Sequence, residues 1–468
     1  MKKCITIFLL ILSFLSASAR QDFDCEDILN QLIKKVEKEY PGFEEKTKDK
    51  RLYNNFKREM IQQGKNTPDS SCLGLLREYL TYFKDHHLYI SKTGQTSNKS
   101  KSKKYYQNID RPIKRCIQEI KTSQDPLEGI WKTRGYKLGI IKNEQKYQAF
   151  IIEADTNYWK PGEIKFKLYN DNEADYYLRD HSLRETSYKL HEDCILTFAD
   201  ISSPFIRIKP EPELSENELT QKVNEIEGFY FKILSEKTVL LKLSNFFYSN
   251  VNRIENLIDK NTNLLEDCHN LIIDIRNNPG GTDYAYKKLL PYICTNDIRM
   301  VGAEYLATPT LVNGLRKYME GLPADKKYDK DRQRIRKKIQ IYEAHMYEFV
   351  NLDSSDVYIK EINPIKKSPE QVVLLINGGT ASSGENFAYQ ARQSKKVKIL
   401  GVPSGGVLDY GSTRRAYIGC KDYKLSIPTF RMLRLPEYPI DNIGLQPDIY
   451  LDSNVINWIK YAQDYLEN

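Results

Sequence analysis

Residues 372–388 read Val-Val-Leu-Leu-Ile-Asn-Gly-Gly-Thr-Ala-Ser-Ser-Gly-Glu-Asn-Phe-Ala. An apolar strand runs into a turn of small residues, and a serine is followed at once by a helix. Such a segment commits its part of the chain to sheet layered with helix. It also lifts a hydroxyl clear of the backbone and points helix N–H groups towards it. A serine so placed is fit to attack a carbonyl, with donors in place for the oxyanion that forms. About a hundred residues earlier a second strand-to-turn element occurs, Leu271 to Asp274 followed by Ile275-Arg276-Asn277-Asn278-Pro279-Gly280-Gly281. Two such turns at neighbouring strand ends would make one active site, and the expectation is a serine hydrolase, foremost a peptidase.

The rest of the chain bounds that expectation. Its 468 residues are too many for one ordinary core, so two or three domains are expected. A hydrophobic content of 40% supports real cores, while a mean hydropathy of −0.60 excludes a polytopic membrane protein. The net charge of +8 is dispersed along the chain. No clustered basic face marks nucleic-acid binding, so no nucleic-acid partner is expected.

Lys2 and Lys3 precede an apolar stretch from Ile5 to Leu15, and Ala17-Ser18-Ala19 supplies a small-residue cleavage site. The pattern is a secretory signal over residues 1–19, too short to span a bilayer. The expected location is exported, periplasmic or extracellular, with no integral membrane segment after signal removal. Export permits disulfides. Cys25 with Cys72 brackets the N-terminal helical region and is the preferred pair, with Cys268–Cys294 a second candidate. No Cys-x-x-Cys pair and no His/Cys cluster has metal spacing, so neither metal nor organic cofactor is implied.

The fold class expected is multidomain α+β. Residues 21–92 form an N-terminal helical domain, with Ile28, Leu32, Ile33 and Val36, then Leu73, Leu76, Leu80 and Phe83, at helical spacing. A polar linker and short helix occupy 93–124, and Ser100 to Lys103 offers Ser-x-x-Lys only in a run with nothing to bury. Short strands parted by Asn, Asp, Gly and Pro fill 125–215, a barrel or sandwich of its own. Strand and helix alternate over 225–468, a C-terminal α/β core. An insertion at about 297–365, with a helix from Asp331 to Val350, either overhangs the cleft as a lid or loops out as solvated surface.

Asp274 to Gly281 and Gly379-Thr-Ala-Ser-Ser-Gly-Glu385 closely resemble the two signature segments of the S41 serine peptidases, a family holding the C-terminal processing and tricorn core proteases. The resemblance spans roughly 225–455 plus one N-terminal motif and implies a ClpP/crotonase-like core acting on polypeptides. By the family pattern the nucleophile lies three residues before the motif's acidic residue, which selects Ser382 over Ser383. The physical reading agrees: the N–H of Ser383 and the Gly280-Gly281 turn would line the oxyanion hole. Asp274, Arg276 and Asn277 are expected to brace the turn.

The processing branch activates its serine with a lysine about 25 residues on, where this chain has Val407. Lys395, Lys396 and Lys398 stand too near the helix and next strand to substitute. The tricorn-like branch uses a histidine after an N-terminal helix, and Leu80-Thr-Tyr-Phe-Lys-Asp-His-His-Leu-Tyr-Ile90 resembles that segment. It places His87 in the catalytic position, with His86 replacing the usual Gly or Ser. Imidazole suits the role because it accepts a proton near neutral pH. Ile440-Asp-Asn-Ile-Gly-Leu-Gln-Pro-Asp-Ile449 resembles the terminal segment and offers Asp441 as the triad's acid, with Glu437 and Asp448 as rivals.

No Gly-Leu-Gly-Phe-type loop of a PDZ domain occurs in 100–220, so tail recognition does not carry over. The leading expectation is an exported serine endopeptidase with Ser382, His87 and Asp441 as catalytic residues. The alternative is a non-catalytic ligand- or peptide-binding protein on the same fold. Hydrolysis of a polysaccharide or lipid ester is a third reading, without an aromatic carbohydrate platform to favour it.

Overall fold

The computed structural model describes residues 24–93, 107–353, 355–419 and 422–468. The signal segment 1–19, residues 94–106 of the linker and Cys420 lie outside the described residues. The chain divides into two compact units, each assembled from separated stretches. One takes the described residues up to 93, Asp297–Glu361 and Gly405–Gln446; the other takes those from 107 to 296, Ile362–Ser404 and Pro447–Asn468. The expected continuous core over 225–468 is therefore shared between units, because the chain leaves it at 297 and again at 405.

The second unit holds two structures. Eight antiparallel strands, from Gly129–Thr133 to Ile201–Lys209, close into a barrel, which decides between barrel and sandwich. Its interior is filled by Trp131, Phe166 and Phe205, all 0% exposed, so the barrel is a packed core rather than a channel. The helix Ile113–Ile120 lays Cys116 and Ile120 against Ile130, Ile141 and Phe150 of the barrel strands.

The other structure is a six-stranded sheet. Phe229–Ile233 pairs antiparallel with Thr238–Leu243. Asn270–Asp274, Gln371–Ile376, Val397–Gly401 and Ile449–Tyr450 then follow in parallel. Sequence order equals spatial order, and helices intervene between successive parallel strands as far as Val397–Gly401. Leu271 to Ile273 and Val372 to Ile376 are all buried, the continuous apolar run of a strand covered on both faces. The helix Trp458–Glu467 covers one face with Ala462 and Leu466.

In the first unit, the helices Cys25–Glu39, Lys50–Asn66 and Cys72–Thr81 bury Leu29, Leu32, Val36, Leu76 and Tyr79. The same core includes Ile90, Leu425 and Ile427, from a sheet that pairs Tyr89–Lys92 with Tyr423–Ile427 and that strand with Arg414–Ile418. Cys25 and Cys72 are joined, with Cα atoms 5.5 Å apart. Cys268 and Cys294 remain buried thiols, which removes the second candidate disulfide.

The insertion is a folded part of this unit. Leu311, Leu315, Ile335, Ile339 and Tyr342 form its own core, and Ala303–Leu306 pairs with Phe430–Met432. Its helix runs Asp329–Ala344 and stops short of the expected Val350. His345 leaves helical geometry, Tyr347 turns the chain at φ +70°, and Phe349–Asn351 becomes a strand. β-branched and aromatic residues after a left-handed turn favour that outcome over continued helix.

Candidate active site

The turns after Asn270–Asp274 and Gln371–Ile376 are tied together within one unit. Asn277 and Asn377 exchange hydrogen bonds of 2.8 and 2.9 Å, backbone N–H to one side chain and Nδ2 to the other. Thr380 Oγ1 donates to Ile275 O at 3.0 Å, and Ala381 N–H donates to Asn278 O at 2.9 Å. Asp274 accepts from Arg276 through both carboxylate oxygens, at 2.9 and 2.7 Å, and has Lys242 Nζ at 3.2 Å. Burial alone would raise the Asp274 pKa; the two cations hold it below its ordinary value. Asp274, Arg276 and Asn277 thus brace the turn.

Ser382 begins the helix Ser383–Ala391 with φ +51° and ψ −118°. A β-carbon at positive φ is strained by about 1–3 kcal/mol and persists only where its surroundings force it. The force here is Glu385, fully buried, whose Oε2 accepts the Ser382 N–H at 2.9 Å and whose Oε1 accepts from Ser404 Oγ at 2.6 Å. Gly280 is the matching piece. A Cβ there would lie 2.6 Å from Ala381 O, 2.7 Å from Ser383 N and 2.9 Å from Ser382 Cβ. Only a residue without a side chain lets the two backbones come this close.

The N–H groups at this junction differ. Gly280 donates to Asn278 Oδ1 at 2.9 Å, so its proton is already engaged. Gly281 is anchored on its other side: Phe246 N–H donates to Gly280 O at 3.0 Å, and Thr282 N–H donates to Phe246 O at 2.8 Å. The N–H groups of Gly281 and Ser383 have no hydrogen-bond partner among the described residues.

His87 and Asp441 belong to the first unit. His87 sits half-buried two residues beyond Asp85, while His86 is exposed. The turn starts at Lys84, φ +47°, whose carbonyl accepts from Asn442 Nδ2 at 2.7 Å. Asp85 Oδ1 accepts the His87 backbone N–H at 2.8 Å, and Asp85 Oδ2 accepts the Tyr40 hydroxyl at 2.8 Å. His87 Nδ1 lies 3.9 Å from Asp85 Oδ1.

Asp441 is 6% exposed and packs under the loop that follows Gly406. Its Oδ1 accepts from Leu408 N–H and Asp409 N–H, both at 2.7 Å, and its Oδ2 has no hydrogen-bond partner among the described residues. Burial, then the charges of Asp409 and Asp85, push its pKa up to about 8. Asp409 is satisfied separately by Arg434, at 2.7 Å. Of the rivals, Glu437 is exposed, and Asp448 Oδ2 accepts Ile399 N–H at 2.8 Å, pinning the strand.

Val407 stands where the processing branch has lysine. Lys395 and Lys396 precede Val397, which pairs with Val372, so they lie at the N-terminal end of the parallel strands, opposite the end that carries the Ser382 turn. Sequence reasoning passed over Asp85, Tyr40 and Asp409. The signal for Asp85 was its place two residues before His87, where a short carboxylate caps the following N–H. A groove of about 570 Å³ along the barrel wall, between Lys132, Ile206 and Leu219, is remote in sequence from every one of these groups.

Among curated proteins no relative matches the sequence. The solved structures that the chain matches include three distant ones. Mature CPAF is 12% identical, covering 95% of this chain and 96% of its own with a TM-score of 0.48. A putative peptidase from Parabacteroides merdae is 12% identical, covering 96% and 98%, with a TM-score of 0.47. The tricorn protease is 11% identical, covering 95% of this chain and 37% of its own, with a TM-score of 0.42. Likenesses this distant say nothing about chemistry. The profile of peptidase family S41 matches residues 237–451, the stretch that carries both signature turns and Asp441. Residues 237–451 belong to peptidase family S41, the serine-type peptidases.

Proposed function

We propose that the protein is an exported endopeptidase in which Ser382 attacks the peptide carbonyl and His87 takes its proton, later giving it to the leaving amine. The N–H groups of Ser383 and Gly281 hold the oxyanion. Gly280 contributes shape rather than a donor, since its proton is bound to Asn278. Asp441 is the buried acid of the histidine-bearing unit. The observation that carries the reading is the strained Ser382 backbone, φ +51°, beside two unpartnered N–H groups. Strain held in place by a buried carboxylate serves a nucleophile, whereas an ordinary helix cap has no need of it. Export is supported by the N-terminal Lys-Lys, apolar, Ala-Ser-Ala pattern and by the Cys25–Cys72 disulfide, a bond at home in an oxidising compartment. Among the described residues no helix is long and apolar enough to cross a membrane.

The test is covalent labelling with a fluorophosphonate probe alongside hydrolysis of an unfolded protein substrate. The wild type labels and cleaves, Ser382→Ala does neither, and His87→Ala loses about three orders of magnitude or more in kcat. A wild-type protein that neither labels nor cleaves, yet retains peptides, would establish the binding protein instead.

A further inference from the structure

We propose that Asp85 is the carboxylate that positions the His87 imidazole, the place in the site that the terminal-segment motif gives to Asp441. The inference rests on His87 as the base, and deepens that reading. One side chain meets the histidine twice. Asp85 Oδ1 accepts the His87 backbone N–H at 2.8 Å, and the same oxygen is the one 3.9 Å from Nδ1. The backbone bond fixes where the imidazole is rooted. The 3.9 Å separation is beyond a hydrogen bond but inside the range where opposite charges attract, and such contacts tighten when substrate binds.

Asp85 is itself held. Its carboxylate is 0% exposed, and its second oxygen accepts the hydroxyl of Tyr40, a ring buried to 1% and packed against Phe83 and Tyr410. Burial and the Asp85 charge keep that phenol protonated, so it always donates. The carboxylates sharing this space have divided their roles. Asp409 is paired with Arg434, and Asp85 has two donors. Asp441 has one satisfied oxygen and one bare one, and it is the member that keeps a proton near neutrality. A neutral acid does not balance an imidazolium; a carboxylate held by two donors is placed to do so. Asp85 acts through His87 and is a positioning residue.

Asp85→Asn, isosteric and uncharged, is compared with Asp441→Asn in the full chain, using steady-state kinetics on a peptide substrate across pH. For Asp85→Asn, kcat falls by about tenfold or more with KM changed by less than about threefold. The acid limb of kcat/KM moves to lower pH, because losing a neighbouring negative charge makes the imidazole less basic. Asp441→Asn costs less in kcat and does not move that limb downward. Tyr40→Phe keeps the ring in its packing and removes only the donor to Asp85 Oδ2; kcat drops with KM unchanged, and this variant decides the matter should Asp85→Asn fail to fold. A larger loss in Asp441→Asn than in Asp85→Asn, or a wild-type kcat in Tyr40→Phe, would overturn the proposal. Full activity in His87→Ala would instead remove the base on which it rests.

Discussion

A methyl group on Gly280 would collide with Ala381 O at 2.6 Å and would sit on a backbone at φ +89°. Gly280→Ala is therefore expected to destabilise the fold by about 1–3 kcal/mol and to push the Ser382–Ser383 peptide out of place. The measurement is a urea midpoint together with the fluorophosphonate labelling rate; an unchanged rate would mean the two turns do not share one function. Asp441 offers a second residue-scale prediction. The unfolded carboxyl loses its proton near pH 4, the folded one at about 8. Between those values the folded state binds more protons, so stability declines as pH rises through that window and levels off above it. Asp441→Asn has no charge to bury and flattens the decline. Thermal melts at about pH 5 and about pH 9 check this. Parallel wild-type and variant curves would show that burial of Asp441 is not felt.

Among the elements, the N-terminal helices depend on a cross-link as well as a core. The Cys25–Cys72 bond closes a 47-residue separation. Replacing both cysteines by serine is expected to lower stability by about 2–4 kcal/mol, read as a shift in the urea midpoint under non-reducing conditions. The barrel contains a different liability. Lys165, 2% exposed, donates to Tyr177 O at 2.6 Å and lies 4.2 Å from the Trp159 ring, and burial lowers its pKa to about 7. Below that pH a charge is held inside the barrel. Between about 7 and the ordinary lysine value the unfolded state binds the extra proton, so stability rises with pH. Lys165→Met should stabilise the protein at about pH 6 and remove the rise, unless the surrounding rings compensate the charge fully. Hydrogen exchange over residues 129–209 locates the effect.

Across the whole molecule, local pattern and tertiary arrangement divide the information unevenly. The parallel strands at 270–274 and 371–376 were legible because unbroken apolar runs, Leu271 to Ile273 and Val372 to Ile376, suit a strand covered on both faces. Ser382 was legible because the glycines and small residues around it admit few backbones. The helix ending at Ala344 was not, since the turn at Tyr347 is forced by pairing of Phe349–Asn351 with Ala303–Leu306. Nor was the fate of the insertion, whose place in a compact unit depends on partners from both ends of the chain. Chain pattern alone singled out the candidate residues of the proposed reaction, because those signals are local in chain and chemistry. Only the tertiary structure decided which protons and donors are still available. Asn278 takes the N–H of Gly280, Glu385 takes that of Ser382, and three carboxylates brought close settle which of them stays neutral. Desolvation and competition for hydrogen bonds are set by neighbours in space, and no spacing along a chain records them.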